Sequence, residues 1–188
     1  MKFTVAVLLA LLWLFVPQAH AKHFTGRLVK VLDGDTVEVM HNDKAERIRL
    51  AQIDCPEKNQ PFGQAAKRYV LNEAAHKIVT VRIETVDRYG RSVGEVFLPE
   101  GSNLNKKLVG AGLAWQYKKY SKDTEYSALE KSAKEERRGL WQDKTPIPPW
   151  EWRKGQRVAS ITQASDADFT CGSKRYCKEM KSCAEAKF

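Results

Sequence analysis

Five short segments of alternating apolar and polar residues, each bounded by turn residues, constrain this chain more than any other feature. A period of two lays one face of a strand against a core and leaves the other in solvent. Phe24 to Val31 is the first, carrying Phe24, Leu28, Val29 and Val31. Asp33-Gly34-Asp35 is turn chemistry, and Thr36 to Met40 then alternates through Val37 and Val39. Asn42-Asp43-Lys44 turns the chain into Glu46 to Ile53, with Ile48, Leu50 and Ile53 apolar. Three short strands joined by tight turns read as a β-meander. Ile78 to Ile83 and Ser92 to Leu98 flank the Asp87–Gly90 turn and complete the set.

Helical spacing fills the gaps. Cys55-Pro56 ends the third strand, because a residue before proline is pushed to extended geometry. Phe62, Ala66, Tyr69, Val70 and Ala74 then fit one helical face. Ser102 is the expected N-cap of a second helix with Leu104, Leu108 and Val109 inside and Gly112 just past its end. A third, from about Thr124 to Arg138, places Tyr126, Leu129 and Ala133 at helical spacing and stops at Gly139. Its charges, Glu130, Lys131, Lys134, Glu135, Glu136, Arg137 and Arg138, read as a solvated face. Five strands with a helix after the third is the order of an OB-fold. The expected class is α+β: a five-stranded OB-fold β-barrel with about three helices.

The ends carry different signals. Lys2 precedes an apolar run from about Val5 to Val16, Pro17 breaks it, and Ala19-His20-Ala21 is an A-x-A cleavage pattern. The run is short for a span of roughly 20 residues, so residues 1–21 are expected to be a signal peptide rather than an anchor. An exported protein, periplasmic or secreted, with no membrane attachment after cleavage follows as the expectation. A Pro- and Trp-containing segment and a Ser/Ala/Asp/Thr linker occupy 146–170, where Trp150 and Trp152 could fold back on the core. Residues 171–188 carry three of four cysteines, Cys171, Cys177 and Cys183, while Cys55 stands alone. Export permits disulfides, but four cysteines allow three complete pairings and the sequence does not choose. A formal net charge of +9 suits a polyanion, either nucleic acid or an anionic membrane surface. A monomer is the default expectation.

Three segments carry chemistry. Asp33-Gly34-Asp35-Thr36 lies between two strands, where an ordinary hairpin turn is the alternative. Arg49-Leu50-Ala51-Gln52-Ile53-Asp54-Cys55-Pro56-Glu57 gathers Arg49, Asp54 and Glu57 where a strand leaves the sheet, with a surface Arg49–Glu57 pair as the alternative. Asp87-Arg88-Tyr89-Gly90-Arg91 sets two guanidinium groups around an aromatic ring, and arginine binds phosphate oxygens bidentately. Together they supply carboxylates for a hard cation, a further carboxylate for water and cationic donors. Phosphodiester hydrolysis uses those groups.

DGDT at 33–36, RLAQIDCPE at 49–57 and DRYGR at 87–91 resemble, in order, the signature segments of the thermonuclease (staphylococcal nuclease) family. The likeness extends over about residues 24 to 142, through GLAW at 112–115 and RRGLW at 137–141. It implies that Asp35, Asp54 and the backbone carbonyl of Cys55 hold Ca2+, all of them oxygen donors. It implies that Glu57 activates or positions water and that Arg49 and Arg91 grip the scissile phosphate. Asp33 would support the ligands from behind, and Tyr89 would sit near a flanking phosphate. DNA and RNA would be the substrates, leaving 3′-phosphate ends. Cys55 stands where the prototype has threonine, which leaves a backbone oxygen as it was. Trp115, Tyr117 and Tyr120 amid Lys118 and Lys119 could stack bases, with core packing the alternative for Trp115 above all.

The tail, CGSKRYCKEMKSCAEAKF, resembles the start of the extracellular calcium-binding module Excalibur. The Asp-rich loop of that module does not follow in this sequence, so no second calcium site is expected. The rival to an enzyme is an OB-like module that holds nucleic acid without cutting it. Degenerate relatives lose the residues that Asp35, Arg49, Asp54, Glu57 and Arg91 match here.

Overall fold

A computed structural model describes residues 22–155, so the expected signal peptide, the linker beyond 155 and the cysteine tail lie outside the described residues. The chain divides into two compact units, Met1–Pro146 and Ile147–Phe188. In the first unit the strands are β1 (Lys22–Val31), β2 (Thr36–His41), β3 (Lys44–Leu50), β4 (Ile53–Asp54), β5 (Ile78–Val86), β6 (Ser92–Phe97) and β7 (Trp115–Gln116). The helices are α1 (Gly63–Ala74), α2 (Leu104–Gly110) and α3 (Thr124–Glu135), with a 3-10 turn at Gly139–Gln142. In the second unit, Pro149–Trp152 forms one helical turn, α4.

Five strands close into a barrel in the order β1-β2-β3-β6-β5, with β5 returning to β1. All pairs are antiparallel except β3 with β6, which run parallel. That is the OB-fold order the alternation implied. The barrel is filled by Leu28, Val37, Val39, Ile48, Leu50, Val79, Val81 and Val96, all buried. On β5 the alternation is literal: Val79, Val81 and Ile83 face in while Ile78, Arg82 and Glu84 face out. α1 lays Ala66, Val70 and Ala74 on the same core, and α2 adds Leu104, Leu108 and Val109.

The third strand is shorter than its sequence suggested. Gln52 adopts a left-handed backbone (φ +66°), so the ladder of β3 stops at Leu50. Ile53–Asp54 then leaves the barrel and pairs with Trp115–Gln116, Asp54 opposite Trp115. The expected N-cap of α2 also moves by one residue. Asn103 caps it, its side chain accepting the Lys106 N–H at 3.2 Å, while Ser102 donates to Glu100. Not all of the α3 charges are solvated. Glu130 is buried and accepts the Gln116 N–H at 3.2 Å and the Lys134 ammonium at 2.8 Å.

Two buried polar residues fasten the helices to the barrel. Glu95 on β6 accepts hydrogen bonds from Tyr126 Oη (2.8 Å) and Asn103 Nδ2 (2.9 Å) and pairs with Arg82. Asn105, fully buried on α2, donates to the carbonyls of Ala51 (3.0 Å) and Gly94 (3.2 Å) and accepts the Val96 N–H. It thereby holds the Ala51 turn against β6. Buried donors and acceptors without partners cost about 1–3 kcal/mol each. Asn105→Ala removes three such bonds, and a loss of about 3 kcal/mol is expected, read as a lower urea midpoint at unchanged slope. An unshifted midpoint would remove Asn105 from this role.

Candidate active site

Where β3 ends, charges that would repel each other are gathered around one guanidinium. Arg49, the penultimate residue of β3, places Nη2 at 2.8 Å from Asp54 Oδ1 and 3.1 Å from Asp35 Oδ2. Its Nη1 donates to the carbonyls of Leu50 (2.8 Å) and Ile53 (3.1 Å). Nη1 thus bonds two backbone carbonyls, while Nη2 bonds Asp54 and forms an ion pair with Asp35. Asp54 is 1 % exposed and Asp35 7 %.

Asp35 is placed by the turn between β1 and β2. Its N–H donates to Asp33 Oδ1 at 3.1 Å, its carbonyl accepts the Leu50 N–H at 2.8 Å, and its Oδ2 accepts the Cys55 N–H at 2.8 Å. Gly34 must stay glycine for room: a Cβ there would lie 2.7 Å from Ala66 Cβ and 2.9 Å from Cys55 Cβ. Asp33, Asp35, Arg49, Asp54 and Cys55 therefore form one cluster drawn from two loops and a strand end. Burial pushes Asp35 up to about 7 against the pull of Arg49, with Asp33 and Asp54 adding to the rise. Burial alone would lower Arg49, but the carboxylates outweigh it and hold its charge more firmly. Burial and the neighbouring carboxylate of Asp35 keep the Cys55 thiol well above its ordinary range, so it is a neutral thiol.

The sequence profile described as "Staphylococcal nuclease homologue" matches residues 47–143, which takes in Arg49, Asp54, Cys55, Glu57 and Arg91. An "Uncharacterized endonuclease" of Escherichia coli O157:H7 is 48% identical over 128 residues, 68% of this chain and 84% of that protein. The chain belongs to the staphylococcal nuclease family. A "Micrococcal nuclease" of Shigella flexneri is 38% identical over 147 residues, 73% of this chain and 84% of that protein. "Staphylococcal-like nuclease CAN1" of Arabidopsis thaliana is 40% identical over 114 residues, covering 61% of this chain and 35% of that protein.

The other residues that the family likeness points to lie on separate segments. Glu57 is half-buried on the loop after β4. Its N–H donates to Gln60 Oε1 at 3.0 Å and its carbonyl accepts the Gln60 N–H at 2.9 Å. Gly63 packs so closely on that carbonyl that a Cβ would sit 1.9 Å from it. Arg91 lies at the β5–β6 hairpin, two residues before Val93, which pairs with Arg49 across the parallel ladder. Asp87 holds it, accepting Arg91 Nε–H at 2.7 Å, the Arg91 N–H at 3.0 Å and the Tyr89 N–H at 2.9 Å. Burial opposes the ionisation of Asp87, but those donors outweigh it and hold its carboxyl below the usual range. Tyr89 is 69% exposed, flanked by Arg88 and Arg91 within 4.8 and 5.6 Å of its ring centre. Tyr117 and Tyr120 meet edge-on at 5.0 Å beside exposed Lys118. Trp115 instead packs edge-on against Trp141 at 4.3 Å, the packing alternative rather than an open stacking surface.

The donor set fits a hard divalent cation. Asp35 and Asp54 offer carboxylate oxygens and Cys55 a backbone oxygen, and oxygen donors suit calcium or magnesium. Among the described residues no three His, Cys, Asp or Glu side chains form a ready-made cage. Asp35 and Asp54 pair with one guanidinium, and Asp35 rises mainly because it is buried, with Asp33 and Asp54 adding to the rise. Asp87 is the residue whose role reading by motif missed; its four-residue spacing to Arg91 was the available signal.

The raised Asp35 fixes a sign. The folded state holds a proton between about pH 4 and 7 that the unfolded chain has lost, so metal-free stability falls as pH rises through that window. Asp35→Asn should therefore stabilise the metal-free protein at pH 8, by on the order of 2 kcal/mol, with the gain vanishing near pH 4. Thermal melts in a chelator check this. A variant less stable than the parent at pH 8 would contradict it.

Proposed function

We propose that this chain is an exported, calcium-dependent nuclease that hydrolyses phosphodiester bonds in DNA and RNA and leaves 3′-phosphate ends. The observation that carries the reading is the buried Asp35–Arg49–Asp54 cluster in a member of this family. Asp35, Asp54 and the Cys55 carbonyl would hold the calcium ion. When bound, calcium supplies neutralisation of phosphate oxygens and polarisation of the phosphorus. Glu57 accepts a proton from, or orients, the attacking water. Water adds to phosphorus and the bond to the 5′ oxygen breaks, giving a 3′-phosphate and a 5′-hydroxyl. Arg91, aimed by Asp87, donates to the phosphate and to the leaving oxygen, and Arg49 adds positive charge beside it. Tyr89 lies by a flanking phosphate, and Tyr117, Lys118 and Tyr120 take the neighbouring nucleotide. Export rests on the Lys2 to Ala21 segment, which a cleavage site closes.

Plasmid DNA and RNA incubated with the purified protein should be cut with calcium present and stay intact with a chelator. Asp35→Ala, Glu57→Gln and Arg91→Ala should each lower kcat by about two or more orders of magnitude while circular dichroism is unchanged. Variants that digest DNA at the parent's rate would refute these assignments. End mapping should find 3′-phosphates that a phosphatase removes.

A further inference from the structure

Gln52 joins three parts of the site. It forms the left-handed turn between β3 and β4, two residues before Asp54. Its carbonyl accepts the Tyr117 N–H at 2.8 Å, and its Oε1 accepts the Ser121 hydroxyl at 3.2 Å. Its Nε2 donates at 3.1 Å to Glu84 on β5, the strand that leads into the Asp87–Arg91 hairpin. Ser121 is buried and is held from the other side by Gln116 Nε2 at 3.0 Å.

Both ends of the 117–121 loop are thus tied to one residue of the acidic segment. Within the loop, the Tyr120 and Ser121 N–H groups donate to the Tyr117 carbonyl at 2.8 and 2.9 Å. Tyr120 is 67% exposed, with the Lys119 ammonium 5.4 Å from its ring centre. An exposed ring beside ammonium groups can stack an unpaired base and meet its phosphate together.

We propose that Gln52 is a positioning residue: it fixes the Tyr117–Ser121 loop against the Asp35–Asp54 cluster and so sets the affinity for an unpaired nucleotide beside the scissile phosphate. The role rests on the nuclease reading given above. The Gln52 side chain bonds to Ser121 and Glu84 rather than to the carboxylate–guanidinium cluster, so its loss acts on binding more than on turnover.

Glycine accepts a left-handed backbone without strain, so Gln52→Gly deletes the side chain and keeps the turn. Ser121→Ala cuts the same tie from the loop side. With a single-stranded oligonucleotide, each variant should raise KM about fivefold, the equivalent of one neutral hydrogen bond, while kcat stays within about twofold. Amide exchange across 117–121, measured without substrate, should quicken in both. The double variant should lose less than the two single effects combined, because both remove the Gln52–Ser121 bond. An active parent whose two variants keep both KM and exchange would overturn the role alone, as would a fall in kcat at constant KM. A parent that cuts no nucleic acid would sink the nuclease reading and this role with it.

Discussion

The Arg49 guanidinium lying between Asp35 and Asp54 is the contact on which the site depends. Two carboxylates that are almost fully removed from water repel strongly and lose hydration. A planar fork satisfies both with one nitrogen and spends the other on backbone carbonyls of the same turn. The cluster remains short of positive charge, and that shortage favours an incoming cation. Removing the guanidinium from this group would leave both carboxylates buried and uncompensated, which is strongly destabilising.

The barrel makes the cluster possible by bringing separated segments to one end. β3 and β6 run parallel, which sets the strand end of Arg49 beside the hairpin of Arg91. The Gln52 turn sends Asp54 out of the barrel onto β7, and Asn105 holds that turn from below. Elements that carry chemistry are therefore loops and strand ends, while the strands and helices keep them still. Even the Cys55 thiol, beside Asp35, is kept neutral by burial and leaves its backbone N–H to orient the carboxylate.

Much of this was legible in the sequence. Period-two runs gave all five barrel strands, since a half-buried strand has to alternate. Asp35, Arg49 and Asp54 were readable as a group because family motifs mark them. Their convergence came from that family likeness and not from periodicity, since it depends on contacts spanning many residues. Three features escaped local reading for definite reasons. The break at Gln52 is a backbone sign change that a glutamine does not announce. Asn103 displaces Ser102 as a cap because either residue type serves and tertiary packing decides. Glu130 stands in a dense run of charges on α3, yet β7 needs an acceptor for the Gln116 N–H, and Glu130 supplies it from the buried side.

Calcium titration calorimetry on the parent protein and on Asp35→Asn and Asp54→Asn tests the cluster most directly. One ion per parent chain, with binding lost or weakened at least tenfold in both variants, is the expected result. Unchanged stoichiometry and affinity in either variant would place the cation elsewhere and contradict the assignment.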